Sequence, residues 1–162
     1  MSGFAREVAF IGVLFVSIFS LVHADVVPFR PCPVEDPQAP VNCTINEVRI
    51  NPCKEASQGK PCRFKRGINA SLEFDYVANF AAPALEGRAF WVNSVMEVPF
   101  MGMEANACLG TSCPVTPGQV QTYHQEFPIS KKYPVRTYDV KWAIVSPDEQ
   151  QCCFIFQIKI HK

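Results

Sequence analysis

Residues 68–80 read Ile-Asn-Ala-Ser-Leu-Glu-Phe-Asp-Tyr-Val-Ala-Asn-Phe, and this stretch decides the fold class. Apolar residues occupy every second position from Ile68 to Phe80, and all the intervening residues except Val77 are polar. Successive side chains of a β-strand point to opposite faces, so the stretch predicts a strand with one apolar face and one polar face. A helix would scatter the same apolar groups around its circumference. Something must cover the apolar face, either a filled core or a cavity that holds a ligand.

Similar segments recur along the chain, separated by turns rich in proline, glycine and polar residues. Alternation or β-forming composition predicts strands over residues 44–51, 85–99, 119–127, 135–145 and 152–160, with a bulge near residues 93–94. Residues 52–66 are polar and contain two cysteines, which predicts a loop. Because no segment beyond residue 24 has both a helix cap and a 3.6-residue period, we expect an all-β, immunoglobulin-like antiparallel sandwich of about seven strands.

The first 24 residues have the layout of a secretory signal peptide. A basic residue, Arg6, precedes an apolar run over residues 8–19, and Val22-His23-Ala24 supplies small residues before a cleavage point. We expect cleavage after Ala24, which leaves residues 25–162 as one domain. The alternative is a retained N-terminal anchor, for which the apolar run is short. The net charge of +0 predicts no nucleic-acid binding, which needs a clustered basic excess.

The chain contains eight cysteines, all of them after residue 24. An even number in a secreted chain implies disulfides. Spacing favours the two short loops Cys53–Cys62 and Cys108–Cys113. It leaves open how Cys32 and Cys43 pair with the adjacent residues 152 and 153, which point to opposite faces of a strand and each need a partner.

A metal site is not expected. No pair of Cys-x-x-Cys motifs is present, and His124 and His161 do not lie at zinc-ligand spacing from any cysteine pair. No cofactor motif is present either. An enzyme is not expected, because the chain has neither a Gly-x-Ser-x-Gly elbow nor a glycine-rich phosphate loop.

Two sequons predict glycosylation at Asn42 and Asn69. Asn69 lies on the polar face of the strand at residues 68–80, where a sugar would project outward.

Short motifs spread over the whole mature chain carry a family resemblance. They are Val27-Pro28-Phe29-Arg30-Pro31-Cys32, Glu47-Val48-Arg49-Ile50-Asn51-Pro52-Cys53, Cys62, Arg66-Gly67, Val98-Pro99-Phe100, Cys108, Cys113-Pro114-Val115, Phe127-Pro128-Ile129, Tyr133-Pro134, Trp142 and Cys153. In this order and spacing they resemble the ML lipid-recognition family, and most closely its Niemann-Pick type C2-like secreted members. The chain is similar to arthropod members, some of which are thought to carry chemical signals.

The resemblance implies the disulfides Cys32–Cys153, Cys53–Cys62 and Cys108–Cys113. Two cysteines, Cys43 and Cys152, are additional to that family pattern. From them we infer a fourth disulfide, Cys43–Cys152.

The resemblance also implies one lipid bound in a cavity between the two sheets. By position, Phe100, Ile129, Tyr133 and Pro134 match residues that line or gate that cavity, and Val98 and Trp142 match neighbouring apolar positions. We further expect Leu72, Phe74 and Tyr76 to form one wall. Tyr76 is also a candidate to offer its hydroxyl to a lipid head group. Met101 and Met103 are flexible, polarizable side chains that suit an adaptable wall.

These observations predict a monomeric secreted carrier of a small hydrophobic ligand, with fatty acids first and sterols second. A membrane receptor or transporter is a further possible partner. Two alternatives stay open: a lysosomal sterol-transfer protein, and a secreted disulfide-rich interaction module or lipid-sensing co-receptor.

Overall fold

The structure is a computed structural model that describes residues 25–34, 41–93 and 96–162. The predicted signal peptide lies outside the described residues. Within the described ranges, no helix has the length and apolar character needed to cross a membrane.

Ten strands follow one another along the described chain. They are β1 (Asp25–Val26), β2 (Phe29–Pro31), β3 (Cys43–Asn51), β4 (Cys62–Lys65), β5 (Asn69–Ala78), β6 (Glu86–Val92), β7 (Glu97–Pro99), β8 (Val120–Pro128), β9 (Thr137–Val145) and β10 (Gln151–His161). Seven of these have four or more residues, and β1, β2 and β7 have two or three. The only helical turns in the described ranges are short 3-10 segments at Ala56–Gln58 and Ala107–Leu109.

The strands form two packed sheets. One has the order β1-β3-β5-β8, and the other has the order β2-β10-β9-β6-β7. This confirms the predicted all-β sandwich of two antiparallel sheets. One pair differs, because β4 lies parallel to β10, with Cys62 opposite Ile158 and Phe64 opposite Ile160.

Two local predictions are wrong. The loop predicted over residues 52–66 contains β4, in which Cys62 and Phe64 are buried while the intervening residue is exposed. Four residues are too few for alternation to stand out from sequence. The single bulged strand predicted over residues 85–99 is a hairpin, since β6 and β7 pair antiparallel with Phe90 opposite Pro99. Ser94, at the predicted bulge, lies outside the described residues.

Strand β5, predicted over residues 68–80, lies inside its sheet, between β3 and β8. Its residues Leu72, Phe74 and Tyr76 are fully buried and face the second sheet. On the outer face, Arg49 of β3 donates to Glu73 at 2.7 Å and to Asp75 at 2.7 and 2.9 Å. The hydrogen bonds from Arg49 lower the pKa of the Asp75 carboxyl. This network holds β3 and β5 in the register that turns the apolar face inward.

Four disulfides join Cys32–Cys153, Cys43–Cys152, Cys53–Cys62 and Cys108–Cys113. These are the pairs expected from the resemblance together with the inferred fourth one. Cys152 is buried on the inner side of β10, whereas Cys153 is half-buried. The two adjacent cysteines therefore form their disulfides from opposite faces of one strand, Cys153 with the residue after β2 and Cys152 with the first residue of β3.

Candidate functional site

A continuous series of aromatic rings runs between the two sheets, and we call it the aromatic file. In order from the rim inward it consists of Tyr133, Phe100, Phe127, Trp142, Tyr123 and Phe74. Neighbouring ring centroids lie between 5.0 and 6.5 Å apart, within the range of favourable aromatic contacts. The file therefore extends an apolar path from the protein surface to the centre of the sandwich.

The outer end of the file opens into a surface depression of about 160 Å³. Its lining residues are Trp91, Val92, Asn93, Val98, Tyr133, Pro134, Arg136 and Tyr138. The ring of Trp91 packs against Phe100 at 4.9 Å, Tyr133 at 5.3 Å and Tyr138 at 4.5 Å. Trp91 and Tyr138 were not among the predicted site residues, although both follow the apolar alternation of their strands.

The predicted ligand-binding residues divide by depth. Phe100, Ile129, Trp142, Leu72, Phe74 and Tyr76 are buried between the sheets. Tyr133 and Met103 are half-buried, and Val98, Met101 and Pro134 are exposed. Of the exposed residues, Val98 and Pro134 line the depression at the rim. Met101 lies beside it, because its carbonyl oxygen accepts a hydrogen bond from the Tyr133 hydroxyl at 3.4 Å.

Side chains occupy the space between the sheets at the level of Phe74. Its ring contacts those of Tyr76, Tyr123 and Phe154 at centroid distances of 5.0 to 5.7 Å. Phe74 and Tyr76, which were expected to form part of a cavity wall, therefore pack against other rings. The surface depression lies at the rim, farther from the centre of the sandwich. Large aromatic side chains can close the gap between two sheets because each ring spans about half of the 10 Å separation.

The hydroxyl of Tyr76 is already hydrogen-bonded within the protein. It donates to Gln121 Oε1 at 2.8 Å and lies 3.1 Å from Thr111 Oγ1. Burial raises the pKa of this hydroxyl. Because both partners lie away from the rim residues, this geometry does not support the predicted contact of Tyr76 with a head group at the mouth.

A buried polar cluster that the sequence patterns did not predict lies beside the file. The Tyr123 hydroxyl donates to Gln125 Oε1, and Gln125 Nε2 donates to the carbonyl oxygen of Glu104 at 3.1 Å. Burial raises the pKa of Tyr123, and the nearby indole N–H of Trp142 offsets part of that rise. Even so, Trp142 Nε1 has no acceptor at hydrogen-bonding distance. The signal was present, since Tyr123, Gln125 and Phe127 alternate on one face of β8.

A glycine makes room for this cluster. A side chain added at Gly87 of β6 would place its Cβ 3.1 Å from the Tyr123 hydroxyl and 3.3 Å from the Met103 methyl group. These contacts are closer than a Cβ normally makes, so the small residue lets β6 approach the file.

The chemistry available between the sheets is apolar contact with a few hydrogen bonds. In the described ranges, the buried polar residues are Gln125 and Ser146, and neither carries a charge. No group of three or more His, Cys, Asp or Glu side chains in the same ranges is placed to hold a metal ion. The arrangement suits the binding of a hydrophobic molecule.

Comparison with known proteins assigns the fold to a family. The model of the ML domain matches residues 26–160. The chain is 42% identical over 123 residues to an MD-2-related lipid-recognition protein of Manduca sexta, covering 74% of this chain and 78% of that protein. It is 28% identical over 120 residues to an ecdysteroid-regulated 16 kDa protein of the same insect, covering 73% and 81%.

A solved structure shares the architecture. The crystal structure of a Niemann-Pick type C2 protein from the Japanese carpenter ant superposes with a TM-score of 0.70, covering 83% of this chain and 99% of that chain. At 19% sequence identity, this match concerns the fold alone. The family match and the first relative settle the assignment: the chain belongs to the ML-domain family of lipid-recognition proteins, which bind lipids and are not enzymes.

Proposed function

We propose that this protein is a secreted carrier that binds one hydrophobic molecule non-covalently along the aromatic file. The observation that supports this most is the continuity of the file. Six rings in contact lead from the surface depression to the buried centre of an ML domain. Apolar burial would supply the affinity, at roughly 25 cal/mol per Å² of apolar surface removed from water.

The ligand enters past Phe100 and Tyr133. Sites for small molecules usually enclose about 300 Å³ or more, and the depression measures about 160 Å³. Binding therefore requires the rings of Phe100 and Tyr133, whose centroids lie 5.5 Å apart, to move aside. Besides ring contacts, Tyr133 is held by one long hydrogen bond from its hydroxyl to the carbonyl oxygen of Met101 at 3.4 Å. The Met101 side chain is exposed, and methionine side chains adapt readily to a neighbouring ligand.

A long single-chain lipid is the leading ligand class, with sterols second. A linear series of rings offers contact along an extended chain, whereas a rigid ring system needs a broader space. We also propose that the protein acts as a monomer and transfers its ligand to a membrane receptor or transporter.

The Phe100→Ala and Tyr133→Ala variants test this path. Each is expected to raise the Kd of a fluorescent fatty-acid probe about tenfold or more, because each removes an aromatic side chain worth roughly 1.5–3 kcal/mol when buried. Fluorescence titration measures the Kd of the probe. Displacement of the probe by unlabelled cholesterol measures the affinity for sterols, the second ligand class.

Phe90→Ala is the matched control, because Phe90 lies on the outer face of β6 under Lys141 and does not join the file. Unchanged affinity in both Phe100→Ala and Tyr133→Ala would rule out the proposed path. Failure of the wild-type protein to bind either lipid would favour the alternative of an interaction module or co-receptor.

An oxidising compartment is part of the proposal. Four disulfides and no free cysteine in the described residues support an extracellular or lysosomal location, since such bonds do not persist in the cytosol. Asn69 is exposed at the start of β5, and Asn42 is exposed beside the Cys43 disulfide, so both sequons are accessible to a glycosyltransferase.

Intact mass spectrometry of protein secreted from insect cells tests cleavage and glycosylation together. The expected mass corresponds to a chain that begins at Asp25 and carries a glycan, and Asn69→Gln should remove one glycan mass. Retention of residues 1–24 in the isolated protein would contradict the predicted cleavage. An unchanged mass for Asn69→Gln would contradict glycosylation at that residue.

A further inference from the structure

A cleft of about 320 Å³ opens at one edge of β10, and we call it the edge cleft. It has about twice the volume of the depression at the rim and shares no lining residue with it. Its volume lies within the range in which proteins bind small molecules, which begins at about 300 Å³. The lining residues are Val27, Pro28, Phe29, Arg30, Gly59, Lys60, Pro61, Ile155, Phe156 and Gln157.

The edge cleft exists because two strands begin side by side on the same edge of β10. Strand β2 begins opposite Phe156 and runs antiparallel to β10, whereas β4 begins opposite Ile158 and runs parallel to it. The two strands therefore lead away from Gln157 in opposite directions. Pro28 and Pro61 directly precede them. Because proline has no N–H to continue a ladder, the sheet edge opens at this point.

The floor of the edge cleft is apolar and rigidly packed. Val27, Ile155 and Phe156 are each 5% exposed or less. The rings of Phe29 and Phe156 contact that of Phe154 at centroid distances of 5.8 and 5.9 Å. The floor is therefore the outside of the hydrophobic core, and an apolar group placed there would be removed from water.

The two walls of the edge cleft each carry a cation. Arg30 on the β2 side donates from Nη2 to Asp139 at 2.6 Å. Lys60 on the opposite side donates to the neutral Oε1 of Gln58 at 2.8 Å. A guanidinium group has five N–H donors and an ammonium group has three, so both side chains have further donors to offer to a ligand.

No acidic side chain balances these cations inside the edge cleft. Of the described residues that line it, none is an aspartate or a glutamate. Asp139 lies behind the lining and also accepts from Gln157 Nε2 at 2.8 Å. Glu55, beside the loop wall, accepts from the backbone N–H of Arg63 at 3.3 Å. The edge cleft thus combines an apolar floor with a positively charged mouth.

We propose that the edge cleft binds a small amphipathic anion, with a compact aromatic or branched apolar body on the floor and one carboxylate between Arg30 and Lys60. The volume excludes a long lipid, and the charges favour a carboxylate over its neutral analogue. This site is separate from the aromatic file, and the proposal does not depend on lipid binding there.

The test titrates the protein with 2-naphthoate and with 2-naphthamide, which has nearly the same shape but no charge, and follows ¹H–¹⁵N spectra. The backbone resonances of Gly59 and Gln157 should shift on binding. Naphthoate should bind about fivefold more tightly, because two exposed cations each contribute a small factor. Added salt should reduce this preference, since exposed charges are screened.

The double variant Arg30→Gln/Lys60→Gln should bring the preference for naphthoate close to one. Both side chains are exposed, so the fold should not be affected. Arg63→Gln is the matched control, because Arg63 is an exposed cation of β4 that does not line the edge cleft. Equal affinities for the two ligands in the wild-type protein, or a preference that survives in the double variant, would overturn the proposal.

Binding at the aromatic file is distinguished by the same spectra. Displacement of the fluorescent fatty-acid probe by naphthoate, without shifts at Gly59 and Gln157, would overturn the edge-cleft proposal and leave the carrier proposal standing. Failure of the wild-type protein to bind the probe, with the expected naphthoate shifts intact, would refute the carrier proposal alone. No binding of naphthoate at all would also overturn the edge-cleft proposal.

Discussion

Removing both long-range disulfides together is expected to cost far more stability than removing either one alone. Cys32–Cys153 and Cys43–Cys152 close loops with sequence separations of 121 and 109 residues. The first joins the residue after β2 to β10, and the second joins the start of β3 to β10. A loop of about 100 residues is worth roughly 4.7 kcal/mol in the chain-entropy relation. Because either disulfide alone already restricts the unfolded chain in nearly the same way, the second adds much less.

The measurement is urea unfolding followed by circular dichroism. Each pair is replaced by alanine singly and then together. The double-pair variant should lose about 4–5 kcal/mol or more, well above the sum of the single losses. The Cys43/Cys152 pair should cost more than the Cys32/Cys153 pair, because Cys152 is fully buried and its truncation also leaves a small void.

The Cys108–Cys113 pair is the matched control. It spans only 5 residues, so its removal should lower stability less than the double-pair change. Losses that simply add across the two long-range pairs would show that the disulfides restrict the unfolded chain independently, contrary to this expectation.

Phe74→Ala is expected to lower the free energy of unfolding by about 3–5 kcal/mol. The reason is the position of Phe74 at the inner end of the aromatic file, where it is fully buried and contacts three other rings. Truncation removes the transfer free energy of the ring and leaves a void that two disulfide-tied sheets cannot easily close. Chemical denaturation monitored by fluorescence measures the loss.

The control is again Phe90→Ala, where the same chemical change on the outer face should cost about 1 kcal/mol or less. The comparison also tests whether side chains or open space cover the apolar face of residues 68–80. A loss at Phe74 no larger than the loss at Phe90 would mean that Phe74 borders open space, and would contradict the ring packing described above.

Some features could be predicted because short-range patterns carry them. Alternation over residues 68–80 predicted a strand, and its buried parity matches the inward face of β5. The hairpin of β6 and β7 was missed because a tight reversal and a bulge both break a two-residue period. The strand β4 was missed because its partner, β10, lies about one hundred residues away in sequence, and four residues carry little pattern by themselves.

For the functional site, the sequence predicted less and the structure added more than for the fold. Family resemblance named Phe100, Tyr133 and Trp142, but nothing in the sequence showed that their rings belong to one contiguous file. Trp91 joins the rim from another strand, and Tyr123 reaches the interior from the opposite sheet. The sequence named the hydroxyl of Tyr76 as a candidate for ligand contact, and only the structure shows Gln121 as its hydrogen-bond partner.

The sequence by itself determined that the chain is a disulfide-rich β-sandwich with an apolar interior, because side-chain alternation and cysteine number are local properties. Only the tertiary structure decided what covers the apolar face of residues 68–80. Rings from both sheets meet over Phe74. Packing and hydrogen-bond pairing depend on distances between residues far apart in the chain, and these distances exist only once the sheets have come together.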